Sequence, residues 1–211
     1  MSVRTLMFVM LVPSVILHEV SHGVVAFWFG DDTAKRAGRL TLNPIAHIDP
    51  FGTIILPLIL ILTTGAGFGY AKPVPVNPRK LRHPRDQSLL VSLAGPAVNV
   101  VLAVAAALAL QAWYGVTASS GGFLNFPGGN GPKALVALGL VNVIIAAFNL
   151  IPIPPLDGSA LIERFLPRAW WPPYLRFRQY SFGLLLIIVL AFPDTLRGVF
   201  DAAYRLWLHL L

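Results

Sequence analysis

Residues 5–29, TLMFVMLVPSVILHEVSHGVVAFWF, form an apolar run long enough to cross a bilayer, and His18, Glu19 and His22 interrupt it about two-thirds of the way along. A hydrocarbon core takes about 20 apolar residues as a helix. A chain with no water around it must close its own backbone hydrogen bonds, so such a run is helical. A charge at the centre of a membrane helix costs about 2.5–3.5 kcal/mol on insertion scales, and intramembrane ionisable groups therefore default to function. The sequence thus raises a chemical question inside its first helix.

Further apolar runs at 88–113, 134–151 and 174–192 predict three more spanning helices, so the expected fold is an all-α, polytopic membrane protein. Only 12% of the 211 residues are charged and 56% are hydrophobic, against roughly 25% charged in soluble domains. One domain is expected over 1–211, with a catalytic core at about 5–165 and a C-terminal helix and tail at about 174–211. A shorter run, 51–66, contains Pro57 and has glycines behind it. It reads either as a re-entrant segment or as a fifth crossing. A small extended or β element is expected near 67–78. In the tail, Arg197, Asp201, Arg205 and His209 recur every four residues, the pattern of an amphipathic helix lying at the lipid interface. The N-terminal run is expected to be kept rather than removed as a leader, because no small-residue cleavage site follows it.

The formal charge is +7. On a soluble protein that would suggest nucleic acid, but here the charge sits in short loops between apolar runs. Lys72, Arg79, Lys80, Arg82 and Arg85 face only Asp86 within 72–86; Arg164, Arg168, Arg176 and Arg178 dominate 156–180. Both loops are expected on the cytoplasmic side and the glycine-rich 114–133 loop outside, which places the protein in the cell (inner) membrane as a multi-pass protein. A nucleic-acid partner is not expected.

His18-Glu19-Val20-Ser21-His22 is an H-E-x-x-H pattern on a helix. Residues four apart lie one turn up and about 40° round, so both imidazoles can reach one ion. Glu19 is offset by about 100°, free to take a proton from water without ligating. A tetrahedral catalytic zinc needs a third protein ligand and an open position. The chain has no cysteine, so that ligand is a His or a carboxylate. Asp157 in FNLIPIPPLDG is the strongest candidate, because Pro152, Pro154 and Pro155 must end the helix before it. It meets the histidines at one depth only if the first helix runs outside to inside, which favours 51–66 not spanning. His47 and Asp49 read as turn or supporting residues; Asn142 and Asn149 read as interhelical hydrogen-bonders.

At these residues the chain resembles the site-2 protease family (peptidase family M50) of intramembrane zinc metalloproteases. The likeness is greatest to small bacterial members without a PDZ or CBS domain. It rests on HEVSH, GYAKPVPVNP (69–78), SLAGPAVNVVLA (92–103) and FNLIPIPPLDG (148–158). The resemblance implies one Zn2+ held by His18, His22 and Asp157, with Glu19 as catalytic base. It also implies cleavage of transmembrane-protein substrates, commonly trimmed first by another protease, with the active site towards the cytoplasm.

A substrate helix must unwind before its peptide bonds can be attacked. In an extended chain Pro73 and Pro75 carry no N–H, while Val74 and Val76 keep donors on the opposite edge. Lys72, Pro73, Val74, Pro75 and Val76 are therefore candidates to pair with an unwound substrate strand. Asn99, an amide within an apolar helix, is a candidate donor to the oxyanion. Two competing readings are a metal-binding adaptor that grips transmembrane helices without cutting them, and a divalent-metal transporter. The intact Glu19 and the lack of paired repeats weigh against them. The sequence sets no oligomeric state.

Overall fold

The computed structural model describes residues 1–55, 62, 72–118, 124–125, 129–191 and 193–211. Helix α1 spans Val3–Trp28, capped by the Ser2 hydroxyl accepting from the Thr5 N–H. A short α2 follows at Thr33–Arg36. Single turns come next at Pro44–His47 and Pro50–Ile55. The long α3, Pro84–Tyr114, starts with proline in its first turn and stops at Gly115, whose left-handed φ of 60° a side chain would resist. Helix α4 is Asn130–Asn149. Beyond it the prolines stop the helix, as expected, and the chain turns through Asp157 into α5, Ser159–Phe165. Helices α6, Trp171–Ala191, and α7, Pro193–Leu208, complete the order.

Among the described residues, α1, α3 and α4 are long and apolar enough to cross a membrane. They pack on one another as a bundle. Phe8, Val9 and Val12 of α1 and Val100, Val101 and Leu108 of α3 face outward, as side chains against lipid would. The molecule is a multi-pass membrane protein.

Contacts at the helix ends fix their directions. The Met1 ammonium donates to Asn130 at the start of α4 (3.2 Å). The Arg82 N–H, just before α3, donates to the Phe29 carbonyl just after α1 (3.3 Å). So α1 and α4 run parallel, α3 runs against both, and the chain between 29 and 83 leaves and returns at the same end of the bundle.

Two expectations change. Among the described residues, no strand partner holds 72–77, and the strand pairing there joins β1 (Thr117–Ala118) to β2 (Leu124–Asn125). Residues 67–71 and most of 51–66 lie outside the described residues. The tail is helical, but it is more than a surface anchor. Its Trp207 is 3% exposed and joins Ala103, Ala107, Leu110, Val136 and Val143 in the core. The indole N–H donates to the Ala103 carbonyl (2.8 Å), and the ring lies where a Cβ on Gly139 would be, 2.1 Å away. A four-residue charge spacing reveals the polar face of α7; it does not reveal that a glycine on α4 has left room for its indole.

Candidate active site

The site forms where the lower half of α1 meets the turn after α4. His18 and His22 project from one face of α1, with ring centroids 4.8 Å apart and planes at 87°. They are 5% and 8% exposed. The turn that delivers Asp157 is held by short local bonds. The Gly158 N–H donates to the Asn149 carbonyl (2.6 Å) and the Ala160 N–H to the Asp157 carbonyl (3.0 Å). Asp157 Oδ2 lies 3.1 Å from His18 Nε2 and 3.4 Å from His22 Nε2. One ligand atom from each of the three falls within 4.8 Å of the others.

The outer nitrogens decide what the inner ones offer. His22 Nδ1 sits 2.7 Å from the Val91 carbonyl, which can only accept, so Nδ1 carries the proton and Nε2 a lone pair. His18 Nδ1 sits 2.6 Å from the Asn99 Oδ1 and is oriented in the same sense. Two imidazole lone pairs and a carboxylate oxygen therefore point at one another. Asp157 Oδ2 accordingly has no hydrogen-bond partner despite its burial. Three buried acceptors converging in this way repel unless a cation lies between them. Ligand atoms about 2.0–2.1 Å from a tetrahedral zinc lie roughly 3.3–3.4 Å apart, close to the two separations found. Gly95 lets α3 come against both rings. A Cβ on Gly95 of α3 would fall 2.5 Å from His22 Nε2 and 2.6 Å from His18 Nε2. The donor set and the two Asp157–imidazole separations fit zinc.

Glu19 is beside this cluster and outside it. Its Oε2 accepts the Val74 N–H (2.9 Å). A cavity of about 380 Å³ joins His18, Glu19, His22 and Asp157 to Pro73, Val74 and Val76. Lys72 is exposed and Pro75 is absent from this lining. Val74 has thus given its donor to Glu19, while Val76 lines the cavity. Asn99 is fully buried behind His18, with its Nδ2 donating to Asn142 (2.7 Å). Asn149 is the amide that lines the cavity.

Sequence reading missed what holds 72–77 in place. The Lys72 N–H donates to the His47 carbonyl (2.9 Å). The buried Arg39 guanidinium donates to the carbonyls of Lys72 (2.6 Å) and Pro73 (3.2 Å). Asp31, fully buried, accepts from the Asn77 N–H (2.6 Å) and from the N–H and hydroxyl of Thr33 (3.0 and 2.5 Å). Burial pushes the Asp31 carboxyl up, but these donors and Lys80 outweigh it and hold it below the ordinary aspartate value. Only the adjacent GDD could have hinted at this. The expected turn role of Asp49 is met by its Oδ1 accepting from Gly52 (2.7 Å).

The family comparison agrees with this picture. The model of Peptidase family M50 matches residues 6–126 and 130–192. YwhC of Bacillus subtilis, assigned by name to the zinc metalloproteases, is 40% identical over 190 residues, covering 89% of this chain and 81% of its own. Rip2 of Mycolicibacterium smegmatis, named likewise, is 32% identical over 192 residues, or 90% of this chain and 68% of its own. Rip2 of Mycobacterium tuberculosis is 34% identical over 191 residues, or 89% and 66%. No solved structure matches at a significant level. The chain belongs to peptidase family M50, and with it to the membrane-embedded zinc metalloproteases of the site-2 type.

Proposed function

We propose that this protein hydrolyses peptide bonds within or beside transmembrane segments of other membrane proteins, with His18, His22 and Asp157 holding one zinc ion and Glu19 acting as base. The observation that carries the reading is the convergence of His18 Nε2, His22 Nε2 and Asp157 Oδ2, the last buried without a hydrogen-bond partner. When bound, zinc supplies Lewis acidity that makes water a usable nucleophile near neutral pH. Glu19 takes the proton from that water and later passes it to the leaving amine. The Val74 N–H fixes the Glu19 carboxylate at the cavity wall. A locally unwound substrate would lie along the Val76 side of the extended segment, where Asn149 lines the same cavity.

Loop charge supports a site facing the cytoplasm in the cell membrane. The return of the chain to one end of the bundle between 29 and 83 favours a re-entrant 51–66. The apolar second half of α6 supports a fourth crossing. One domain covering 1–211 accounts for the shared core of α3, α4 and α7. Substrates shortened beforehand by another protease are the expectation that the family resemblance carries.

The test is cleavage of a labelled transmembrane peptide by the reconstituted protein. Glu19→Gln should keep its zinc and lose about 10²–10⁴-fold in rate, and a chelator should abolish cleavage by the wild type. Equal rates for Glu19→Gln and wild type would remove Glu19 from its role. Metal uptake into proteoliposomes without cleavage would turn the reading towards transport.

A further inference from the structure

We propose that Asn99, Asn142 and Ser14 form a buried relay that sets the tautomer of His18, making Asn99 a positioning residue for the zinc site and not a donor to the oxyanion. The inference rests on the zinc reading above and adds how one ligand is made ready.

The two histidines are oriented in different ways. A backbone carbonyl, Val91, faces His22, and it cannot be turned round. His18 faces a side-chain amide, which has two orientations of nearly equal shape. With its oxygen towards the ring, Asn99 requires the proton on Nδ1 and leaves Nε2 free to ligate. With its NH₂ towards the ring, the proton would move to Nε2 and block the ligand position. Something must choose between them.

The choice is made two residues away. Asn142 Nδ2 donates to the Leu138 carbonyl (2.9 Å), which can only accept, and to the Ser14 hydroxyl (2.9 Å). This leaves Asn142 Oδ1 facing Asn99, whose Nδ2 donates to it (2.7 Å). Asn99 Oδ1 is then the atom left for His18. The direction of every bond follows from one fixed carbonyl, read outward from α4 through α3 to α1. Asn99 and Asn142 are 0% exposed and Ser14 is 1% exposed, so water is not there to substitute, and an amide turned the wrong way would leave buried groups unpaired. Ordering of a ligating imidazole through its second nitrogen is typically worth about 10–100-fold in metal affinity.

The experiment measures zinc affinity of the purified protein by competition with a chelator, alongside ¹⁵N NMR of the metal-stripped wild type. Asn99→Leu should bind zinc about 10–100-fold more weakly. Asn142→Leu, which touches no ligand, should also weaken binding. The double variant should be no worse than Asn99→Leu alone, because both changes break one chain. His18 of the stripped wild type should carry its proton on Nδ1, a readout that needs no variant to fold. An Nε2 proton, or two losses that multiply, would overturn the relay. A wild type that binds no zinc would instead overturn the reading of the site.

Discussion

Each residue of the centre is defined by what its far side touches. As proposed ligands, His18 and His22 have their outer nitrogens occupied, while Asp157 Oδ2 is left without a hydrogen-bond partner. Spacing made the histidines and Glu19 legible, since four residues are one helical turn. The proline break made Asp157 legible. Asn99 was legible as a buried amide in need of a partner, but the partner's identity depends on helix packing that no local pattern encodes. Asp31 was legible only in part: Thr33 is two residues away, but Asn77, its other partner, is distant in sequence. It also gives a pH prediction. A carboxyl whose folded value is depressed contributes stability that is complete above the unfolded value, about 3.9, and is lost as pH falls through the lower folded value. Asp31→Asn should therefore cost about 1–3 kcal/mol at neutral pH. The difference in Tm from wild type should stay level from about pH 5 upward and narrow below about pH 3.9; a gap unchanged at pH 3 would contradict the assignment.

Among the elements, the three apolar helices were plain from their length, with ends within a few residues of those expected. Proline and glycine placement explains where they stop. Less visible was how closely α3 approaches α1. Gly95 looks in sequence like a helix weakness, yet its missing Cβ is what lets α3 come against both imidazoles. Gly95→Ala should keep the helical circular-dichroism signal and lose stoichiometric zinc. Full zinc occupancy in that variant would show that α3 can draw back without cost. The α7 dock shows the same limit. Its polar face was legible, whereas Trp207 over Gly139 is a match of shapes between distant segments.

For the whole molecule, the direction of the helices matters more than their number. Met1 lies by Asn130, and the Leu211 carbonyl accepts from Gln111 (3.2 Å) at the far end of α3. Both chain ends therefore sit at the end of the bundle opposite the metal centre. The protein has no cysteine, so single cysteines introduced at positions 2 and 211 can be labelled cleanly. An impermeant thiol reagent should modify both from the same side of sealed vesicles, the side away from a third cysteine placed at 80; labelling of 2 and 211 from opposite sides would refute the arrangement. What joins these scales is the proposal that α1 and the turn after α4 share one cation. Zinc content of the purified protein tests it most directly. One zinc per chain is expected in wild type and Glu19→Gln, and none in His22→Ala or Asp157→Ala. Zinc-free wild type, or variants that retain the ion in full, would contradict the account.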